Sequence, residues 1–236
     1  MVRYLLCLWL CNVASTIQAQ ETAEGNLGAW HLLSITARVS DHYGFLAAAQ
    51  VKYYEPYGNF NQTVLRTGIN YYVSPHIITS LSYGYQLTDP TFAVDDGAEF
   101  KKEHQIGAQI TYRHDVGKCV LDYRFWLEQR FVEFDGTTEM LQRTRYRLQI
   151  NLPLTKRYFM NMHSELFLNL QDDIFGQIRF YGALGLRFSN HLNLHAGYFR
   201  SYTKSTHLDR MRIALFYLPD FRKKPNELQS AKNINP

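Results

Sequence analysis

The sequence predicts an all-β protein, a transmembrane antiparallel β-barrel of 10 to 12 strands. Three observations predict it. Apolar and polar residues alternate with period two through segments of about ten residues, the length and pattern of a tilted membrane strand. Tyr and Phe, 17 and 15 in number, gather at both ends of the apolar faces. The chain opens on a segment that resembles a secretory leader.

That leader has Arg3, an apolar run from Tyr4 to Leu10 and then Ile17-Gln18-Ala19, a small-residue site for cleavage after Ala19. The run is too short to anchor in a bilayer, which takes roughly 20 apolar residues. Cleavage would remove Cys7 and Cys11 and leave Cys119 alone, so no intramolecular disulfide is expected. Residues 1–19 are therefore expected as signal peptide, 20–28 as an N-terminal segment, 29–217 as barrel and 218–236 as a disordered, proline-containing tail. An exported, bacterial outer-membrane location follows, with outer-membrane lipid, lipopolysaccharide and the barrel-insertion machinery as partners.

The strands follow in order. Tyr43, Phe45, Ala47, Ala49, Val51 and Tyr53 alternate with Gln50 and Lys52. Leu65, Thr67, Ile69 and Tyr71 oppose Arg66, Gly68 and Asn70. Ile77, Thr79, Leu81, Tyr83, Tyr85 and Leu87 oppose Ser80, Ser82, Gly84 and Gln86. Ile106, Ala108, Ile110 and Tyr112 oppose Glu103, Gln105, Gln109 and Arg113. Leu121, Tyr123, Phe125 and Leu127 oppose Asp122, Arg124, Trp126, Glu128 and Arg130. Tyr146, Leu148, Ile150 and Leu152 oppose Arg143, Arg145, Arg147 and Gln149. Met160, Met162, Leu166 and Leu168 oppose Asn161, His163 and Glu165. Ile178, Phe180, Leu184 and Leu186 oppose Arg179, Tyr181 and Arg187. Leu192, Leu194, Ala196 and Tyr198 oppose Asn193, His195 and Gly197. Met211, Ile213, Leu215 and Tyr217 oppose Arg210 and Arg212. These make ten. Trp30 to Val39 also alternates, which either leaves that segment off the wall or requires one more strand to complete twelve, since bacterial single-chain barrels normally have an even number.

Short turns are expected near Ser74-Pro75, Val116-Gly117-Lys118 and Ser189-Asn190. Longer loops are expected near Pro56–Asn61, Thr88–Lys102, Glu133–Met140, Gln171–Gly176 and Thr203–His207, in strict alternation with the turns. This places Tyr71, Tyr112, Tyr158, Phe188 and Tyr217 at the turn end, and Tyr53, Tyr85, Phe131, Phe180 and Tyr202 at the loop end. The result is two aromatic girdles.

By the same alternation the inner wall carries Lys52, Arg66, Arg113, Arg124, Arg130, Arg143, Arg145, Arg147, Arg179, Arg187, Arg210 and Arg212, with Glu103, Asp122, Glu128 and Glu165. Arg143, Arg145 and Arg147 project to one side about 7 Å apart. Two readings stay open. The charges either fill a narrow lumen as a ladder of ion pairs, or the surplus of bases attracts anions into a channel or pocket.

Other chemistry is weakly represented. The net charge of +4 and the absence of a nucleic-acid motif give no reason to expect a nucleic acid. His191 and His195 would stand about 13 Å apart on a strand, too far to share a metal. Asp89, Asp95, Asp96 and Glu99 lack the ligand spacing of a calcium loop. His163 and Ser164 point to opposite faces and cannot act as base and nucleophile. There is no Gly-rich phosphate loop. No cofactor, metal site or enzymatic activity is expected.

The chain also resembles a known family. The resemblance runs from about Ala29 to Tyr217. It is carried by Leu65-Arg66-Thr67-Gly68-Ile69-Asn70-Tyr71, Glu103-His104-Gln105 and Tyr123-Arg124-Phe125-Trp126-Leu127-Glu128-Gln129-Arg130-Phe131. Further on it is carried by Arg145-Tyr146-Arg147, Leu152-Pro153-Leu154, Glu165-Leu166-Phe167-Leu168-Asn169 and Tyr181-Gly182-Ala183-Leu184-Gly185. On these the sequence is similar to the uncharacterised outer-membrane β-barrel family catalogued as domain of unknown function number twenty-four ninety. The resemblance implies an outer-membrane barrel and no established activity. The chain departs from that family's pattern by continuing past Tyr217.

Overall fold

Alternation by itself sets only which way a side chain points. Which strands pair, and how the sheet closes, is seen in a computed structural model of the protein that describes residues 23–92, 99–171 and 173–222. The expected leader, Asp95 and Asp96 of the acidic loop, and the tail beyond residue 222 lie outside the described residues.

A short 3-10 turn, Ala23–Gly25, leads into β1 (Leu27–Arg38). Then follow β2 (Tyr43–Tyr53), β3 (Phe60–Tyr72), β4 (Ile77–Thr88), β5 (Lys101–Val116) and β6 (Cys119–Phe134). The remainder are β7 (Thr137–Pro153), β8 (Tyr158–Asn169), β9 (Phe175–Arg187), β10 (Leu192–Tyr202) and β11 (His207–Tyr217). Each pairs antiparallel with the next, and β1 pairs with β11 to close the barrel.

The strand number corrects the even-number expectation. The Trp30 segment is neither off the wall nor one of twelve strands: it is β1 of eleven. Up-and-down hairpins reverse direction at each step, so an odd number brings the first and last strands together in the same direction. Leu27 lies opposite Asp209 and Ile35 opposite Tyr217 in a parallel ladder. β1 is held on its other edge by β2, from Ala29↔Tyr53 to Arg38↔Gly44.

The facing assignment agrees with the alternation. Outward Phe45, Leu81 and Leu184 are 54%, 60% and 62% exposed, while inward Ser80, Ser82 and Ala183 are buried. Lipid covers such apolar surface in an outer-membrane-type barrel. Tyr71, Tyr112, Tyr158, Phe188 and Tyr217 are exposed at the turn end, and Phe180 and Tyr202 at the loop end.

The loop lengths differ from expectation. Glu133–Met140 is no loop. β6 and β7 run on until Asp135 and Gly136, whose positive φ values of 50° and 68° make a two-residue hairpin turn. Asp-Gly is the pair best suited to that left-handed geometry. The connections at this end therefore do not alternate strictly in length with the turns. The 12-residue β1 contrasts with the 16-residue β5 and β6 and the 17-residue β7.

Residues 218–222, expected to begin the tail, instead continue the seam. The Arg38 amide donates to the Pro219 carbonyl at 2.9 Å, and the Phe221 amide donates to the Arg38 carbonyl at 2.8 Å. Arg222 reaches Asp220 at 2.6 Å and Asp41 at 3.2 Å. Its hydrogen bonds hold the Asp220 carboxyl well below the usual carboxylate range.

Candidate functional site

The inward positions of these strands meet in the lumen, where the predicted charges separate into three kinds. The first is paired with carboxylates. Arg113 meets Asp122 at 2.5 Å, Arg130 meets Glu103 at 2.6 Å and Arg143 meets Glu128 at 2.6 Å. Arg145 joins two acids, Glu128 at 3.0 Å and Glu165 at 2.9 Å, and Arg124 also binds Glu165. Glu103, Asp122, Glu128 and Glu165 are all buried. A buried carboxylate is tolerated only when its charge is matched and its lone pairs are filled, and the arginine fork does both.

The second kind rests on amides, carbonyls and ring faces. Arg66 donates to the Gln105 amide oxygen at 2.9 Å and lies 4.2 Å from the centre of the Trp126 ring. Arg179 donates to Gln177 at 2.9 Å and lies 4.2 Å from the Phe167 ring. Arg210 donates to Asn61 at 2.8 Å. Lys52 donates to Gln62 at 2.5 Å above Trp30. Arg187, near the turn end, contacts the Lys156 carbonyl and Phe159.

The third kind is Arg147 and Arg212. Neither forms a hydrogen bond or ion pair among the described residues, although Arg212 lies 4.5 Å over the Trp30 ring and 4.8 Å over Tyr181.

Trp126 and Tyr181 stand on the predicted polar face, and Phe159, Phe167 and Phe199, which the sequence assigns to neither face, lie beside them. All five are buried in the lumen with Trp30. The signal was available: each has the parity of the charged residues rather than of the lipid face. Two glycines make room for them. A side chain at Gly107 would collide with the Trp126 indole, and one at Gly185 would collide with the Phe159 ring.

Rings and guanidinium groups then form two stacks. One runs Arg66, Trp126, Arg145, Phe167 and Arg179, with Arg145 4.4 Å from each ring. It starts on β3 and ends on β9, on the other side of the barrel. The second runs Lys52, Trp30, Arg212 and Tyr181, from β2 through the β1–β11 seam to β9. Trp30 meets Phe199 edge-on at 4.7 Å, joining the second stack to the small apolar core of Trp30, Tyr181, Ala183 and Phe199.

Among solved structures, the translocator domain of autotransporter NalP from Neisseria meningitidis is similar, with a TM-score of 0.52 and 14% identity over 77% of this chain and 76% of that one. At that identity the likeness establishes the fold, an outer-membrane-type barrel. No curated protein matches the sequence. The model of a protein family of unknown function, DUF2490, matches residues 27–212, from the first strand into the last, and the chain belongs to that family.

Proposed function

We propose that this protein is an outer-membrane barrel that acts as a closed, non-enzymatic scaffold rather than as an open channel. One observation carries the reading: the Arg66–Trp126–Arg145–Phe167–Arg179 stack joins β3 to β9 through inward side chains of β6, β7 and β8. Its central member, Arg145, is tied down by Glu128 and Glu165, which are buried with Trp126 and Phe167. Eleven strands enclose a wider lumen than the roughly eight whose side chains alone fill it, and a layer of ion pairs on ring faces, with little freedom to move aside, occupies this one. The outward surface fits outer-membrane lipid and lipopolysaccharide, and insertion by the barrel-assembly machinery fits the antiparallel hairpins. His163, opposite buried Tyr181, lies inside the wall and the adjacent Ser164, opposite exposed Phe180, outside it, so these two do not pair as base and nucleophile.

Planar-bilayer recording of the refolded full chain tests this reading. Negligible conductance is expected. A steady current would overturn it, and anion selectivity in that current would favour a channel lined by the surplus bases.

A further inference from the structure

One inward position nearer the turn end than the stack, the lumen has a different balance of groups. Arg147 follows Arg145 on β7, His163 precedes Glu165 on β8, Tyr181 follows Arg179 on β9 and Arg212 follows Arg210 on β11. His163 and Tyr181 are register partners with rings 4.8 Å apart. Arg212 lies 4.8 Å over that same tyrosine ring. Arg147 stands opposite Glu165 on β8, diagonal to His163, whose own partner on β7 is Gln149.

These neighbours share an unmet need. Arg147 Nε, Arg212 Nε, His163 Nδ1 and the Tyr181 hydroxyl are all buried without a hydrogen-bond partner. Tyr181 is only 5% exposed. Buried polar atoms are nearly always satisfied, so four in one cluster call for an occupant. The nearby acids are already committed. Glu165 accepts from Arg124 and Arg145, and Asp122 accepts from Arg113 and Gln149. Water would satisfy the donors but not the two positive charges, and an unpaired buried charge is far costlier than an unpaired dipole. An anion with several oxygens would answer both, since guanidinium forks and a hydroxyl are the groups that recognise phosphate.

We propose that Arg147, His163, Tyr181 and Arg212 form a binding site for a small oxyanion of the phosphate type, either inorganic phosphate or a phosphate monoester. The arginines would neutralise and orient the anion, and Tyr181 would donate to one of its oxygens. The site does not depend on the lumen being closed: a barrel that conducts and still binds phosphate would overturn the scaffold reading and keep the site.

The test is calorimetric titration of the refolded full chain, in buffer free of phosphate and sulfate, with inorganic phosphate and separately with glycerol 3-phosphate. Trp30, beneath Arg212, offers a parallel fluorescence signal. Saturable binding is expected. Arg212→Leu and Arg147→Leu should each weaken it about ten-fold or more, the loss of a charge-assisted contact. Tyr181→Phe, which keeps the ring, should weaken it roughly three-fold to ten-fold. Lys102→Gln, an exposed charge change elsewhere, should leave it unaltered. Tighter binding of glycerol 3-phosphate would identify a monoester, and tighter binding of inorganic phosphate the free ion. A flat titration of the wild-type barrel with both would overturn the site, as would undiminished affinity in Tyr181→Phe and in whichever arginine variants fold.

Discussion

On the β5–β8 side of the lumen, Arg113, Arg124, Arg130, Arg143 and Arg145 each meet a buried carboxylate. On the side formed by β9 to β11 and β1 to β3, Arg179, Arg210, Arg212, Lys52 and Arg66 meet ring faces or amides, and the buried carboxylates of the described residues all lie on β5, β6 and β8. The two halves keep cations inside a wall by different means. A carboxylate cancels the charge and fixes the guanidinium direction. A ring face offsets part of the charge and accepts no conventional hydrogen bond, so the donor atoms stay free. The first half is suited to hold the barrel closed, and the second has positive charge and donors to spare.

The largest expected effect falls in the first half. Glu128→Gln would leave Arg143 and Arg145 without their shared carboxylate, and breaking a buried pair from one side costs about 3–5 kcal/mol. Urea unfolding followed by the heat-modifiable gel shift would measure it. A cost below about 1 kcal/mol, the range of an exposed pair, would erase the distinction between the halves.

Next comes the division between inside and outside, on which the comparison rests. Leu148 lies outward beside inward Arg147 on β7. Leu148→Arg should cost about 2–4 kcal/mol at the membrane midplane. Arg147→Leu should assemble normally in phosphate-free buffer, because it orphans no acid. Reversed effects on assembly would displace the facing by one residue.

A smaller effect is expected in the second half. Arg66→Met removes a cation whose partners are an amide and an indole face, so no buried charge is left behind. A change within about 1 kcal/mol is expected, the scale of an ordinary cation–π contact. A loss as large as that of Glu128→Gln would show that the ring-supported cations matter as much as the paired ones.

The smallest effect concerns the end of the seam. Arg222 lowers the Asp220 carboxyl below its ordinary value. A group depressed in the folded state contributes fully above the unfolded pKa, about 3.9 for Asp, and its contribution is lost as pH falls below that. A spin label at Phe221→Cys, in a Cys119→Ser background, should keep its mobility from pH 8 to pH 5 and loosen below about pH 4. Loosening already between pH 8 and pH 5 would assign the latch to other groups. Because both residues are exposed, the effect should shrink with salt.

Most of the wall was legible in the sequence. Leu65, Ile69 and Tyr71 face out, and Arg66 and Asn70 face in, because a strand turns its side chains to opposite faces at each residue, and this is local geometry. The Asp135-Gly136 turn is also legible, although the polarity of the residues around it predicts a loop. Polarity marks exposure, whereas the Asp-Gly pair marks the backbone twist that continues a hairpin. The inner aromatic residues carry the parity of the polar face, but a ring there has no local signal of its purpose. Trp126 acquires one only when Arg66 and Arg145 arrive from other strands.

The sequence by itself determined a period-two wall, its inward and outward faces, its aromatic girdles and a lumen rich in arginine, since each depends on backbone geometry within one strand or on composition. Tertiary structure alone decided the closure and the pairing. Trp30 belongs to a wall strand because β1 finds β11 almost the whole chain away, and a parallel seam has no nearby residue to announce it. Glu165 accepts Arg124 and Arg145 while Arg147, its register partner, receives no ion pair. Side chains from several strands compete for the same carboxylate across the lumen, and only their simultaneous placement selects which arginines it serves.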